Sequence, residues 1–181
     1  MAYAVGSIPF AYLLLRLSSG KDIRTLGTGN VGAMNTFDVS GSKVLGILVG
    51  TLDAAKGAAA VLGATYFFGD DLPVKMLAAF FATLGHCYPV WLRFKGGRGL
   101  STVAGATLLF MKSLVITWVI VWVLAWAYSK KIHFCNISAT IGVAFIAPIL
   151  EPVDALFFII SLVALILLRH RDVMKDAFKG G

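Results

Sequence analysis

The chain has 181 residues, 59% of them hydrophobic and 14% charged, with a mean hydropathy of +0.86 and a formal net charge of +7. A soluble domain of this length carries more charge and fewer uninterrupted apolar runs, and a membrane β-barrel would alternate apolar and polar residues. What remains is an all-α, polytopic integral membrane protein, read as one domain over 1–181.

The first apolar run, 1–17, begins almost at Met1 and has no small-residue cleavage site behind it. It is therefore expected to be a retained span, not a signal peptide. Loop one follows as "SSGKDIRTLGTGNVGAMNTFDVSGSK". Its Gly27, Gly29 and Gly32 satisfy G-x-G-x-x-G letter for letter, but the dinucleotide fingerprint needs a preceding strand and a βαβ unit, and here apolar spans flank it. The local physics survives that rejection, because closely spaced glycines let backbone N–H groups approach an anion. Arg24 adds charge, and Asn30 and Asn35 add neutral hydrogen-bonding groups. A bare flexible connector has no use for so many Gly and Asn beside cations.

The next run, 43–68, carries Asp53 and Lys56 in "LDAAKG", three apart and so able to pair on one helical face. Ionisable groups inside a span point to function, and a structural ion pair that fixes helix packing is the open alternative. Run 74–92 carries His86, in "GHCYP", about two turns before its end, and leads into "FKGGRGLST", Phe94 to Thr102. Here Lys95, Gly96, Gly97, Arg98 and Gly99 pass directly into Leu100, Ser101, Thr102 and an apolar helix. A Gly-rich turn feeding a helix N-terminus brings free N–H groups and the positive dipole end together, which suits an anion. The stretch is not a Walker A, since G-x-x-x-x-G-K-[ST] does not match. Its bland alternative is a set of topology-setting cations.

Runs 99–111, 113–129, 136–150 and 153–168 complete a count of seven spans. Those at 99–111 and 136–150 fall below the ~20 residues a span prefers and are expected to be short, tilted or partly re-entrant. His170, in "RHRD", closes the last span. It and His86 are candidates for a phosphate ligand or proton carrier, because imidazole titrates near neutrality. His133 lies in a basic turn and is assigned no role. Cys87 and Cys135 form no ligand spacing and are expected simply to pack.

Sorting the loops by side places thirteen cations on one face (Arg16, Lys21, Arg24, Lys43, Arg93, Lys95, Arg98, Lys130, Lys131, Arg169, Arg171, Lys175, Lys179). The other face receives two, Lys75 and Lys112, while Lys56 stays inside a span. The positive-inside rule then puts the C-terminus and the Gly-rich loops in the cytoplasm and the N-terminus outside. Attraction to anionic lipid is the plain use of such a face. Nucleic acid is excluded as a partner, because the cations sit in short juxtamembrane loops and not on an independent domain. Two basic, glycine-rich loops on one membrane face suit phosphorylated ligands that carry an acyl chain.

Five stretches now fall in one order: "GSIPFAYLL" (Gly6 to Leu14), "GTGNVGAMN" (Gly27 to Asn35), "LDAAKG" (Leu52 to Gly57), "GHCYPVWLRFKGGRGLST" (Gly85 to Thr102) and "RHR" (Arg169 to Arg171). Together they resemble the PlsY family, the bacterial acyl-phosphate:glycerol-3-phosphate acyltransferases, over essentially the whole chain. The resemblance implies a seven-helix fold in the inner membrane, with a cytoplasmic active site and no metal or nucleotide cofactor. It implies transfer of a fatty acyl group from acyl phosphate to glycerol 3-phosphate, giving lysophosphatidic acid and phosphate, by a protein expected to be a monomer. By the same resemblance Gly96, Gly97, Arg98 and Gly99, with Lys95 and Ser101, would cradle a phosphate. Gly29, Asn30, Gly32 and Asn35, with Arg24, would shape the neighbouring wall. His86 and His170 would contact substrate or shuttle a proton, and Arg98 would join them as a catalytic group.

The chain also departs from the family's usual pattern. Arg98 stands for the usual Lys of "GGKGVAT", which keeps the charge but changes its shape. Asp38 stands where an Arg is usual, reversing a sign, and could bind a hydroxyl or a cationic acceptor, or pair with Arg98. "HFCNI" replaces "SLxSI", putting Asn136 in a serine's place, and "RHRDVM" puts Val173 where Asn is usual. A paralogue with a changed acceptor, or a binder that does not transfer acyl groups, is the alternative these changes raise. A small anion transporter is a third, although no repeated halves are visible.

Overall fold

The first apolar run is not one helix. In the computed structural model, which describes residues 1–178, α1 (Ala2–Gly6) and α2 (Phe10–Ser19) are separated by Ser7, Ile8 and Pro9. Pro9 has no N–H to continue the ladder, and the residue before a proline disfavours the helical region. The Ile8 carbonyl is thereby left outside a regular helix and accepts from Lys56 Nζ at 2.7 Å. Lys179, grouped above with the cytoplasmic cations, lies outside the described residues.

Loop one is partly helical, which its sequence did not suggest. Gly32 and Gly41 bracket α3 (Ala33–Ser40), and Ser42 then caps α4 (Lys43–Phe68) by accepting from Leu45 N. That serine satisfies one of the orphan donors that every helix start presents. α5 (Leu72–Cys87) follows, then a 3-10 turn at Val90–Leu92 and the short α6 (Leu100–Thr107). The chain divides into two compact units, and these elements make up the first, Met1–Leu109.

Glycines bring the helices of this unit into backbone contact. A Cβ on Gly57 of α4 would sit 2.1 Å from Thr102 O on α6, and one on Gly105 of α6 would sit 2.0 Å from Ala54 O on α4. Small residues of this kind let membrane helices approach closely where apolar burial cannot drive them together. α1 meets α5 in the same way at Gly6 and Ala82, and Tyr3 Oη donates to Tyr88 O at 2.6 Å. Beneath loop one, Ala11, Leu15, Ile23, Val31, Val49 and Leu92 form a buried cluster.

The second unit runs from Phe110 and contains α7 (Lys112–Ser129), α8 (Ile132–Leu150), α9 (Leu156–Arg169) and α10 (Arg171–Phe178). α8 begins earlier than the sequence suggested, so His133 lies in its first turn and not in a loop. α7 buries only Leu114 and Thr117, as suits a helix apolar on every face. It is fastened to α8 by polar hooks: Trp118 Nε1 donates to Thr140 Oγ1 at 3.3 Å, and Trp122 Nε1 to Asn136 Oδ1 at 2.8 Å. Ser113 donates to the Glu151 carboxylate at the far end of the same pair.

Every regular element among the described residues is helical. Among the described residues three helices, α4, α7 and α8, are long and apolar enough to cross a membrane. α6, with eight residues, is only about 12 Å long against a hydrocarbon core of about 30 Å. Its brevity agrees with the short or re-entrant expectation for 99–111, whereas the same expectation for 136–150 fails, because α8 starts at Ile132 and its 19 residues are long enough to cross. Cys87 and Cys135 are both buried.

Candidate active site

Loop one is organised from inside by one amide. Asn35, 2% exposed, accepts from Thr28 N through Oδ1 at 3.0 Å, and its Nδ2 donates to Leu26 O at 3.1 Å, Asn30 O at 3.0 Å and Ile23 O at 3.4 Å. Asn35 therefore shapes the wall, and its hydrogen-bonding capacity is used in doing so. Gly29 turns the chain at φ +70°, Gly32 packs near the Asn30 amide, and Asn30 remains half-buried at the loop surface.

Arg24, expected as a charge available to an anion, is shared with Asp22. Its Nη2 lies 2.7 Å from Asp22 Oδ2 and its Nε 3.0 Å from Oδ1, while the guanidinium stands 5.2 Å from the Tyr12 ring centroid. Asp22 also accepts from Arg24 N, capping the 3-10 turn Ile23–Thr25. The Arg24 hydrogen bond is the main reason the Asp22 carboxyl is held below the usual carboxylate range, and the same contact raises Arg24.

Loop two, the Gly-rich stretch between α5 and α6 that contains Lys95 to Gly99, folds back onto the end of α5. Gly96 N donates to Cys87 O at 3.2 Å and Gly97 N to His86 O at 3.1 Å. These two amides, expected to cradle a phosphate, are thus engaged by α5. What the two glycines supply is closeness. A Cβ on Gly97 would lie 2.1 Å from His86 Nε2 and 2.6 Å from Val31 O, so this one position joins loop two, the imidazole and loop one. Lys95 is exposed, whereas Arg98 is only 8% exposed. Gly99, at φ +87°, is the N-cap of α6 in a left-handed conformation that favours glycine, and no side chain caps that helix. The first N–H groups of α6, from Leu100 and Ser101 onward, have no partner one turn earlier in the helix. Beside them, Thr102 Oγ1 is fully buried with no hydrogen-bond partner among the described residues.

The structure also brings together groups that the sequence did not link. Lys56 Nζ lies 2.8 Å from Asp53 Oδ1, as the spacing suggested, but the same carboxylate oxygen is 3.5 Å from His86 Nδ1 on α5. Residues so far apart along the chain carry no periodic signal of contact. Only the α4–α5 packing creates it.

His170, in the second unit, is 1% exposed and its Nδ1 lies 2.8 Å from Ile166 O. A carbonyl can only accept, so Nδ1 carries a proton. Of the departures, Asn136 is occupied by Trp122, and Val173 is 8% exposed with its N–H on His170 O. Asp38 is exposed on α3 and forms no ion pair among the described residues, so the pair with Arg98 considered above does not form.

The family described as Glycerol-3-phosphate acyltransferase matches residues 1–180. The chain is 36% identical to the glycerol-3-phosphate acyltransferase of Ehrlichia chaffeensis, covering 99% of this chain and 91% of that one. It is 37% identical to that of Aquifex aeolicus, covering 99% and 93%. Among solved structures it resembles PlsY, an integral membrane glycerol 3-phosphate acyltransferase, in its glycerol 3-phosphate form, with a TM-score of 0.86 at 36% identity over 97% of this chain and 87% of that one. The form with lysophosphatidic acid gives a TM-score of 0.82 at 35% identity, again over 97% and 87%. Residues 1–180 match along one continuous stretch, with loop one, the glycine turn and the "RHR" end all inside it, and on that ground the chain belongs to the glycerol-3-phosphate acyltransferase family.

Proposed function

We propose that this protein is a membrane acyltransferase that moves a fatty acyl group from acyl phosphate to glycerol 3-phosphate, yielding lysophosphatidic acid and inorganic phosphate. The observation that carries the proposal is the buried Arg98 at the uncapped head of α6, on a turn held against loop one at Gly97. An anion there meets a fixed cation and helix N–H donors in a site largely shut off from water, where such contacts are strongest.

Acyl phosphate is a mixed anhydride and is already activated, so no covalent enzyme intermediate is needed. The glycerol 3-phosphate hydroxyl attacks the acyl carbon, the new ester C–O bond forms, and the C–O bond to phosphate breaks. The hydroxyl proton leaves with the departing phosphate or through an imidazole. The protein contributes placement of two phosphates and stabilisation of the developing oxyanion. Arg98 is assigned to phosphate, with Gly99 and Ser101 at the helix head. Gly96 and Gly97 set the turn, and Lys95 adds field from the exposed side. Arg24, Gly29, Asn30, Gly32 and Asn35 form the loop-one wall. His86 is assigned to the reacting groups. His170, whose role rests on the "RHR" match and its buried imidazole, is assigned to substrate contact. Metal and nucleotide play no part in this scheme.

The whole chain, 1–181, is read as one acyltransferase domain of seven membrane passes, with the first broken at Pro9 and the fourth short at α6. The bias of cations to one face supports cytoplasmic loops and an outside N-terminus, and the family resemblance supports the bacterial inner membrane. The protein is proposed to act as a monomer. A changed acceptor or a non-catalytic binder is not favoured: Asn136 accepts from Trp122 and Val173 is buried, while nothing in the structure explains Asp38.

The test is phosphate release from palmitoyl phosphate in detergent, with and without glycerol 3-phosphate, and with Arg98→Ala as control. Release that depends on glycerol 3-phosphate and is lost in the control is expected. Release without the acceptor, or undiminished in Arg98→Ala, overturns the assignment.

A further inference from the structure

Asp53 and Lys56 lie mid-way along α4, 2% and 5% exposed, and neither belongs to the loops assigned to substrate. A pair that merely held α4 in place would need only its own two charges. Each of these groups also reaches another element. Lys56 Nζ donates to Ile8 O, the carbonyl released by the Pro9 break, at 2.7 Å, and lies 5.7 Å from the Phe10 ring centroid. Asp53 Oδ1 faces His86 Nδ1 at 3.5 Å.

The His86 ring has two edges with different neighbours. A carboxylate can only accept, so the proton on the edge facing Asp53 belongs on Nδ1, as in other carboxylate–imidazole pairs. The opposite edge, Nε2, is 2.1 Å from where a Gly97 side chain would begin, and the Gly97 amide donates to the His86 carbonyl. Loop two thus leans on His86 through both ring and backbone. The ring in turn leans on Asp53, Lys56 and the broken first helix.

We propose that Asp53 and Lys56 are positioning residues for acyl transfer: as a relay from the Ile8 carbonyl to His86, they hold the imidazole in the one orientation that supports the Gly96–Gly97 turn and the head of α6. The proposal rests on loop two being the anion site, as assigned above.

The experiment uses the full-length protein in detergent with palmitoyl phosphate and glycerol 3-phosphate. It compares Asp53→Asn, Asp53→Ala, the double variant Asp53→Ala/Lys56→Met, and Arg98→Ala. Asp53→Ala is expected to lower kcat/KM at least about tenfold, mostly by raising KM for a phosphorylated substrate, an effect the size of one charge-assisted hydrogen bond. Asp53→Asn, whose amide oxygen still accepts from Nδ1–H and from Lys56, is expected to stay within about threefold of the parent. The double variant removes both buried charges, so it regains thermal stability while its KM stays raised. Nitrogen-15 NMR of the His86 ring is expected to report the Nδ1–H tautomer in the parent and Asp53→Asn, and a mixed population in the double variant.

Recovery of both stability and KM in the double variant would reduce the relay to helix packing and overturn the proposal. So would an unchanged His86 tautomer. Impaired Arg98→Ala with normal kinetics in Asp53→Ala and the double variant sinks the relay alone and leaves the anion site standing. Normal kinetics in Arg98→Ala removes the anion-site assignment and the relay with it.

Discussion

Replacing Gly97 by alanine adds one carbon at the place where loop one, loop two and His86 meet. That carbon would arrive 2.1 Å from His86 Nε2, 2.8 Å from Cε1 of the same ring and 2.6 Å from Val31 O. Carbon does not approach nitrogen or oxygen closer than about 3 Å without overlap, so the ring and a backbone carbonyl must both retreat. Neither yields cheaply: Asp53 holds the ring, and Val31 is 3% exposed in the cluster beneath loop one. Overpacking of this kind costs about 1–3 kcal/mol, and a loop displaced by about 1 Å can lower turnover about 100-fold. Gly97→Ala is therefore expected to retain its helical circular dichroism and to fall by about two orders of magnitude in kcat/KM for lysophosphatidic acid formation. Gly41→Ala is the control for adding a methyl group without a clash, because Gly41, at a left-handed φ of +68°, has nothing within 4 Å of a new Cβ. Its cost is backbone strain of about 1–2 kcal/mol, with activity intact. A Gly97→Ala protein within about threefold of the parent would refute the idea that this contact sets the site.

Three further outcomes follow from the same geometry. Asn35→Ala removes an acceptor from Thr28 N–H and a donor from three loop carbonyls, and is expected to cost about 1–3 kcal/mol and to speed hydrogen exchange across residues 26–30. Asn35→Asp, which turns the donor toward those carbonyls into a negative charge, should be worse, and a neutral result in thermal melts would contradict the hydrogen-bond assignment. Because Arg24 lowers the folded pKa of Asp22, the pair contributes at neutral pH and its contribution is lost as pH falls through the folded value, below the ordinary carboxylate range. Exchange of the Arg24 amide should thus be flat from about pH 6 to 8 after correction for intrinsic rates and rise only in acid, and Asp22→Asn should abolish the rise. The effect is small, since both side chains are about a quarter exposed, and an onset near pH 6 would point to another group. Asn136→Ser withdraws the acceptor from Trp122, so it is expected to destabilise the α7–α8 pair by about 1 kcal/mol and to shift the Trp122 indole N–H resonance, without raising acyl transfer. A gain in activity, alone or combined with Asp38→Arg, would show that Asn136 limits the chemistry.

The amino-acid sequence by itself determined the membrane class, the helical content, the position of α4 almost to the residue and the two Gly-rich segments. Hydropathy and glycine spacing are local properties, and each is readable within a window of about twenty residues. The order of the motifs also identified the family. It did not announce α3 inside loop one, because eight mixed residues between glycines carry no strong period. It showed Asp53 and Lys56 as a pair but not as a relay spanning three elements, and it counted Gly96 and Gly97 as anion donors when their amides serve α5. Those matters were decided only in three dimensions. His86 meets Asp53 because α5 packs on α4. α6 seats its head near both loops because Gly57 and Gly105 let two backbones touch. Contacts between distant segments follow from which small residues allow close approach and which carbonyl a proline releases. Neither leaves a periodic trace along the chain.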